Sequence, residues 1–201
     1  MADTDTNKST PRDGAIAILK AEHRTLGSVM HLLQQLLEKI SKRYTDPDFG
    51  LLATIVYYID VFPERVHHPK EDEHLFKRLR SRTSHADALL DELQAHHVRS
   101  AQLINYIEQT FVHYHGGAPD GFKQFYDAVN AYAGLLWDHM EQEENRMLPL
   151  AEKYLQKSDW QAIDAAFRAN NDPLGNVHMP QEFRKLKQRI FNLLPRKLKR
   201  R

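Results

Sequence analysis

The chain of 201 residues contains no cysteine. That absence removes disulfides, thiolate metal sites, iron–sulfur clusters and cysteine nucleophiles together. Glycine is scarce, at 8 residues, and no phosphate-cradling loop, nucleophile elbow or zinc-finger spacing is present. The longest apolar stretches are interrupted by charges and fall short of a membrane span. Residues 1–12 are polar and lack the apolar segment of a secretory signal, so the expected location is the cytoplasm. A strong charge of one sign is also missing, but the net +1 conceals an asymmetry. From Arg184 to Arg201 there are nine Lys/Arg and no acid, which leaves 19 basic against 27 acidic residues elsewhere. Its last six residues, Arg196 to Arg201, have no interleaved aromatic residue. The tail is expected to be solvated or to dock on the acidic body, and nucleic acid is not the expected partner.

Hydrophobic residues make up 41% and charged residues 27%, the proportions of one globular domain with a substantial core. The periodicity is helical throughout. Ile16, Leu19, His23, Leu26, Met30, Leu33 and Leu37 recur at steps of three and four along a first helix. A second is expected from about Asp48 to Leu79 on the stripe Leu52, Ile55, Ile59 and Phe62, kinked by Pro63 and Pro69. Thr83 or Ser84 can cap a third, bearing Leu93, His97, Ile104, Ile107 and Phe111. The loop 115–119 separates it from a fourth, with Phe125, Val129, Tyr132, Leu136, His139, Glu143 and Met147 inward. Ser158 or Asp159 then caps a short helix reaching Phe167. A last amphipathic helix carries Phe183, Leu186, Ile190 and Leu194. The expected fold is all-α: an up-down-up-down antiparallel four-helix bundle over residues 13–155, with a flexible N-terminus at 1–12, further C-terminal helices in 156–195 and a basic tail at 196–201. The sequence leaves the oligomeric state open.

Twelve histidines carry the functional signal, through an internal repeat. A shift of 74 residues takes Leu19 to Leu93, His23 to His97, Met30 to Ile104 and Leu33 to Ile107. A shift of 72 takes His67 to His139, Glu71 to Glu143 and Leu75 to Met147. Each half therefore offers one His on its first helix and a His-x-x-x-Glu on its second, with His and Glu one turn apart on one face. Chance alone supplies fewer than one His-x-x-x-Glu in a chain with 12 His and 12 Glu, and three occur. The third, His178/Glu182, spans Pro180 and lacks a matching His. The other two lie on apolar stripes, where a carboxylate is costly unless paired. Four imidazoles and two carboxylates without thiolate suit iron, manganese or zinc. They fit two ions with each Glu bridging, and leave each ion short of six ligands. A hydrogen-bonded polar layer is the plainer alternative. His68 with Asp72 rivals His67 with Glu71, because the prolines blur the helical phase, and His96 rivals His97.

Three stretches together resemble the hemerythrin-like, or HHE cation-binding, family. They are Ala21-Glu22-His23, the run His67-His68-Pro69-Lys70-Glu71-Asp72-Glu73-His74-Leu75-Phe76, and His139-Met140-Glu141-Gln142-Glu143-Glu144 with Leu148-Pro149. The resemblance covers about residues 13–155. It implies an up-down bundle holding a non-haem di-iron centre, two iron ions with an oxo or hydroxo bridge, ligated by His23, His67, Glu71, His97, His139 and Glu143. It also implies binding, sensing or protection involving O2 or NO. A di-iron oxidase, peroxidase or NO reductase drawing on an electron donor, or a structural bundle with zinc or no metal, are the alternatives. Oxygen carriers of the family place two His four residues apart on one helix. Here the position four after His97 is Ala101, which turns the expectation away from simple oxygen carriage. The lack of Cys likewise disfavours the iron–sulfur repair role.

Overall fold

The computed structural model describes residues 10–169 together with 174, 183, 184 and 186–188. Ile190, Leu194, the His178/Glu182 pair and the tail 196–201 lie outside the described residues. Helix α1 spans Pro11–Ser41. Thr10 caps it by accepting from the Asp13 backbone N–H at 3.2 Å, and Pro11 sits where no donor is needed. Helix α2 is an unbroken run of five segments: Phe49–Ile59, Asp60–His67, His68–Lys70, Glu71–Phe76 and Lys77–Arg82. The second and fourth of these are π-helical. A capped 3-10 turn, Ser84–Ala86, leads into α3, Asp87–His115. Helix α4 runs through Gly121–Gln142, a π-helical Glu143–Met147, and Leu148–Tyr154. Helix α5 is Lys157–Arg168. No strand occurs among the described residues, and no described helix is long and apolar enough to cross a membrane.

The buried apolar side chains form two clusters. One contains Leu33, Ile55, Phe62, Ile107 and Val129; the other contains Leu19, Leu75, Leu90, Leu93 and Met147. Helix α1 passes from the second cluster to the first, α2 from the first to the second, α3 back again, and α4 returns. The four helices therefore alternate in direction, as the repeat and the short links require. Each helix crosses from one cluster to the other at a histidine: His23 between Leu19 and Leu26, His67 between Phe62 and Leu75, His97 between Leu93 and Leu103, His139 between Leu136 and Met147.

Helix α5 closes the second cluster with Trp160, Ile163 and Phe167. Its cap is Gln156, with Asp159 reaching back from the third position to the Gln156 N–H at 2.8 Å. The cap thus falls earlier than Ser158 or Asp159, because Gln156 and Asp159 satisfy each other's end donors reciprocally. Asp159 also receives a two-pronged bond from Arg82 at 2.8 and 3.0 Å, which ties α5 to the end of α2. Leu174, Phe183 and Leu186 pack on the first cluster, and Phe183 stacks on Tyr57 at 5.8 Å. Trp137 on α4 lies at the surface, 40% exposed.

The α3–α4 turn depends on two glycines, Gly117 at a left-handed φ of 79° and Gly121 at a close approach to backbone. A Cβ at Gly121 would lie 2.7 Å from Tyr114 Cα and 2.9 Å from the His113 carbonyl carbon, both backbone atoms that cannot swing aside. Gly134, inside α4, has nothing within 4 Å of its Cβ position. Gly121→Ala is therefore expected to destabilise the fold by about 1–3 kcal/mol through forced backbone shifts. Gly134→Ala should stabilise it by roughly 0.5–1 kcal/mol through helix propensity. Urea unfolding of the two variants beside the parent checks the opposite signs.

Candidate metal centre

Between the two apolar clusters lies a layer of titratable side chains from all four bundle helices. Glu71 and Glu143 both have 0% of their surface exposed. None of their four carboxylate oxygens makes a hydrogen bond among the described residues. Removing an unpaired carboxylate from water costs several kcal/mol even after relaxation, so the two need a cationic partner. The imidazoles around them form two groups of potential ligand atoms, each within 4.8 Å of one another. One group is His23, His67, Glu71 and Glu143; the other is His68, Glu71, His97 and His139. Glu71 belongs to both. Glu143 also spans them, with Oε2 at 3.1 Å from His23 Nε2 and 3.5 Å from His139 Nε2.

All six residues singled out by the repeat lie in these groups. The rivals fare differently from one another. His96 is in neither group. Its Nε2 lies 3.8 Å from the mostly exposed Asp138. His68 is in the second group and His67 in the first, so the fold brings both to the layer. The backbone supplies the reason. His67 ends a π-helical stretch, and the His68 N–H bonds to the Pro63 carbonyl five residues back. A wider turn rotates each residue less than an α-helix does, so two consecutive side chains can face one centre. The widened turn contains Pro63, one of the two prolines expected to kink the helix. A second widened turn begins at Glu71 and a third at Glu143, which are separated by the 72-residue offset of the repeat.

The orientation of the rings follows from partners that the sequence reading passed over. His23 Nδ1 donates to Glu144 at 2.9 Å, His67 Nδ1 to Glu22 at 2.8 Å, and His97 Nδ1 to Asp72 at 3.1 Å. In each case Nε2 then faces Glu71 or Glu143, at 3.1 Å for His23, 3.2 Å for His67 and 3.5 Å for His97. A carboxylate on one ring nitrogen that fixes the other toward a centre is the usual support of a metal-binding imidazole. A signal for these partners was available. Asp72 and Glu144 each follow a central glutamate at the repeat offset, and each holds the histidine of the opposite half. Asp72, offered by the sequence as a rival ligand, occupies this supporting position.

Protons balance the layer in the absence of an ion. Burial disfavours the His23 cation, but the carboxylates of Glu143 and Glu144 outweigh it and raise its pKa to about 10. Burial likewise opposes the His97 cation, and Asp72 and Glu71 raise it to about 10. His68 and His139 are pushed well below the usual imidazole range, chiefly by burial. Burial and the charge of Glu143 push Glu71 up. Glu143 itself is held low, its burial outweighed by the facing imidazoles of His139 and His23.

A bundle of buried imidazoles and carboxylates of this composition is a cation-binding protein of the oxygen-and-nitrogen ligand class. The sequence model of the Hemerythrin HHE cation binding domain matches residues 14–151, well over half of the chain. The chain therefore belongs to that family. No curated protein and no solved structure matches it.

Ligation requires neutral imidazoles, so an ion must displace the protons on His23 and His97. Loading at pH 7–8 should release protons, and affinity should climb as pH approaches about 10. The ion-free fold should behave oppositely. Both pKa values are raised above the ordinary 6.5, so the stability these groups contribute is fully present below 6.5 and is lost as pH rises through about 10. Indicator-dye titration reads the protons, and thermal scans of chelator-treated protein read the stability. An ion-free protein that gains stability across that window would contradict the charge assignment.

Proposed function

We propose that the chain holds two iron ions in this layer and uses them to bind O2 or NO. The observation that carries this reading is the double membership of Glu71. One carboxylate with no hydrogen bond, common to two ligand groups, is the arrangement that two ions sharing a bridge require. His23 and His67 would hold one ion and His68, His97 and His139 the other, with Glu71 and Glu143 available to both. His68 supplies a fifth imidazole, which removes the ligand-count reason for setting oxygen carriage aside. An iron pair in such a site supplies ferrous–ferric chemistry and a coordination position for a diatomic gas.

The chain's own residues set the conditions for that chemistry. Leu26, Phe62 and Leu136 on one side, with Leu19, Leu75, Leu93 and Met147 on the other, exclude bulk water from the layer. Glu22, Glu144 and Asp72 fix three imidazoles through Nδ1 and keep Nε2 directed inward. A narrow cleft of about 10 Å³, room for a single water-sized molecule, is lined by His68, His96, His97, Ser100, Leu135, Leu136 and His139 and touches the layer.

The test is anaerobic reduction of iron-loaded protein followed by addition of NO, then of O2, watched optically. A spectral change with each gas is expected. Glu71→Ala and Glu143→Ala should lose metal and with it the gas response, because a bridging carboxylate serves both ions. His178→Ala should leave both intact. A reduced, iron-loaded protein indifferent to both gases would overturn the reading, as would loss of metal from His178→Ala.

A further inference from the structure

Among the departures from the internal repeat that builds the two halves of the layer, three fall together. The 72-residue offset carries His68 to Met140 and Glu64 to Leu136, and the 74-residue offset carries Leu26 to Ser100. Three polar residues thus replace apolar ones together, and they touch. The Glu64 side chain, only 6% exposed, accepts through Oε1 from the Ser100 hydroxyl. The same oxygen accepts from the Tyr132 hydroxyl at 3.0 Å. Its other oxygen, Oε2, lies 3.5 Å from His68 Nδ1. Ser100 and Tyr132 are themselves buried, at 5% and 1%. Neither ring nitrogen of His68 makes a hydrogen bond among the described residues. The ring stacks on His97 at 4.3 Å.

We propose that Glu64, braced by Ser100 and Tyr132, is a positioning residue that directs His68 toward the ion held by His97 and His139. The inference rests on the two-iron reading above. The placement resembles that of the other three supported rings, with a carboxylate facing Nδ1 at 3.5 Å rather than bonded at 2.8–3.1 Å, and Nε2 left for the centre. Two hydroxyls on Oε1 fix the plane of the carboxylate, so Oε2 keeps a single direction, toward His68. The consequence is a difference in openness. With His68 in place, one ion has three imidazoles and two bridging carboxylates, whereas its neighbour has two imidazoles and the same two carboxylates. Exogenous ligand is then confined to the His23/His67 ion. His68 also lines the cleft, so releasing it opens the second ion to the same small ligands.

The experiment counts NO bound per chain in reduced, iron-loaded full-length protein, with iron content measured on the same samples. The parent should hold two irons and take up one NO. Glu64→Ala should retain two irons and take up two NO, a doubling, as should His68→Ala. The double variant should match His68→Ala alone, since Glu64 acts through His68. Glu64→Gln should stay at one, because its carbonyl can accept from Nδ1 while its amide donates to the two hydroxyls. A Glu64→Ala count that remains at one overturns the proposal, and so does loss of an iron from His68→Ala without added NO. Should Glu64→Ala not fold, the Ser100→Ala/Tyr132→Phe pair tests the same brace: a count above one with both irons retained supports it, and an unchanged count overturns it. A parent protein that holds no iron pair would instead refute the reading beneath it, a result distinguishable from either.

Discussion

Two carboxylates with no exposed surface and no hydrogen bond sit at the centre of a helical bundle, and their charge is the constraint from which the rest follows. Burial of Glu71 and Glu143 is affordable only with cations beside them, either protons on His23 and His97 or metal ions. The apolar core is divided into two clusters because this layer lies between them. The bundle helices cross the layer at a histidine each. Widened turns begin at both glutamates, where the backbone leaves regular α-geometry. Local departures from regular helix, which are common at functional sites, therefore fall on the residues whose burial is hardest to satisfy.

The supporting carboxylates lace the two halves together. His23 from the first half is held by Glu144 from the second, and His97 from the second by Asp72 from the first. The exchange makes the layer a cross-link between helices that the apolar clusters alone would only press together. It also means that an ion, once bound, meets rings whose direction is already fixed, so little ordering remains to oppose binding.

Much of this was legible in the sequence, and the parts that were not have identifiable causes. The helical stripes are long and regular, so the four helices and their alternation could be read from Leu19, Ile55, Leu93 and Val129 alone. The repeat isolated His23, His67, Glu71, His97, His139 and Glu143 because an offset shared by two independent stripes is rarely accidental. His68 was set against His67 because the reasoning assumed α-helical phase, and a π-turn between Asp60 and His67 changes that phase without any composition signal beyond Pro63 and Pro69. Glu64 and Ser100 are not marked as part of the site by the sequence for a related reason: they break the repeat, and a repeat singles out only what recurs.

The central claim is that the buried layer exists to hold a pair of ions. Metal analysis of the full-length protein after expression in iron-replete medium, expressed as ions per chain, addresses it most directly. The account predicts two ions per chain, mainly iron, because two ligand groups share Glu71. One ion per chain, or a stable folded protein that takes up none, would contradict it.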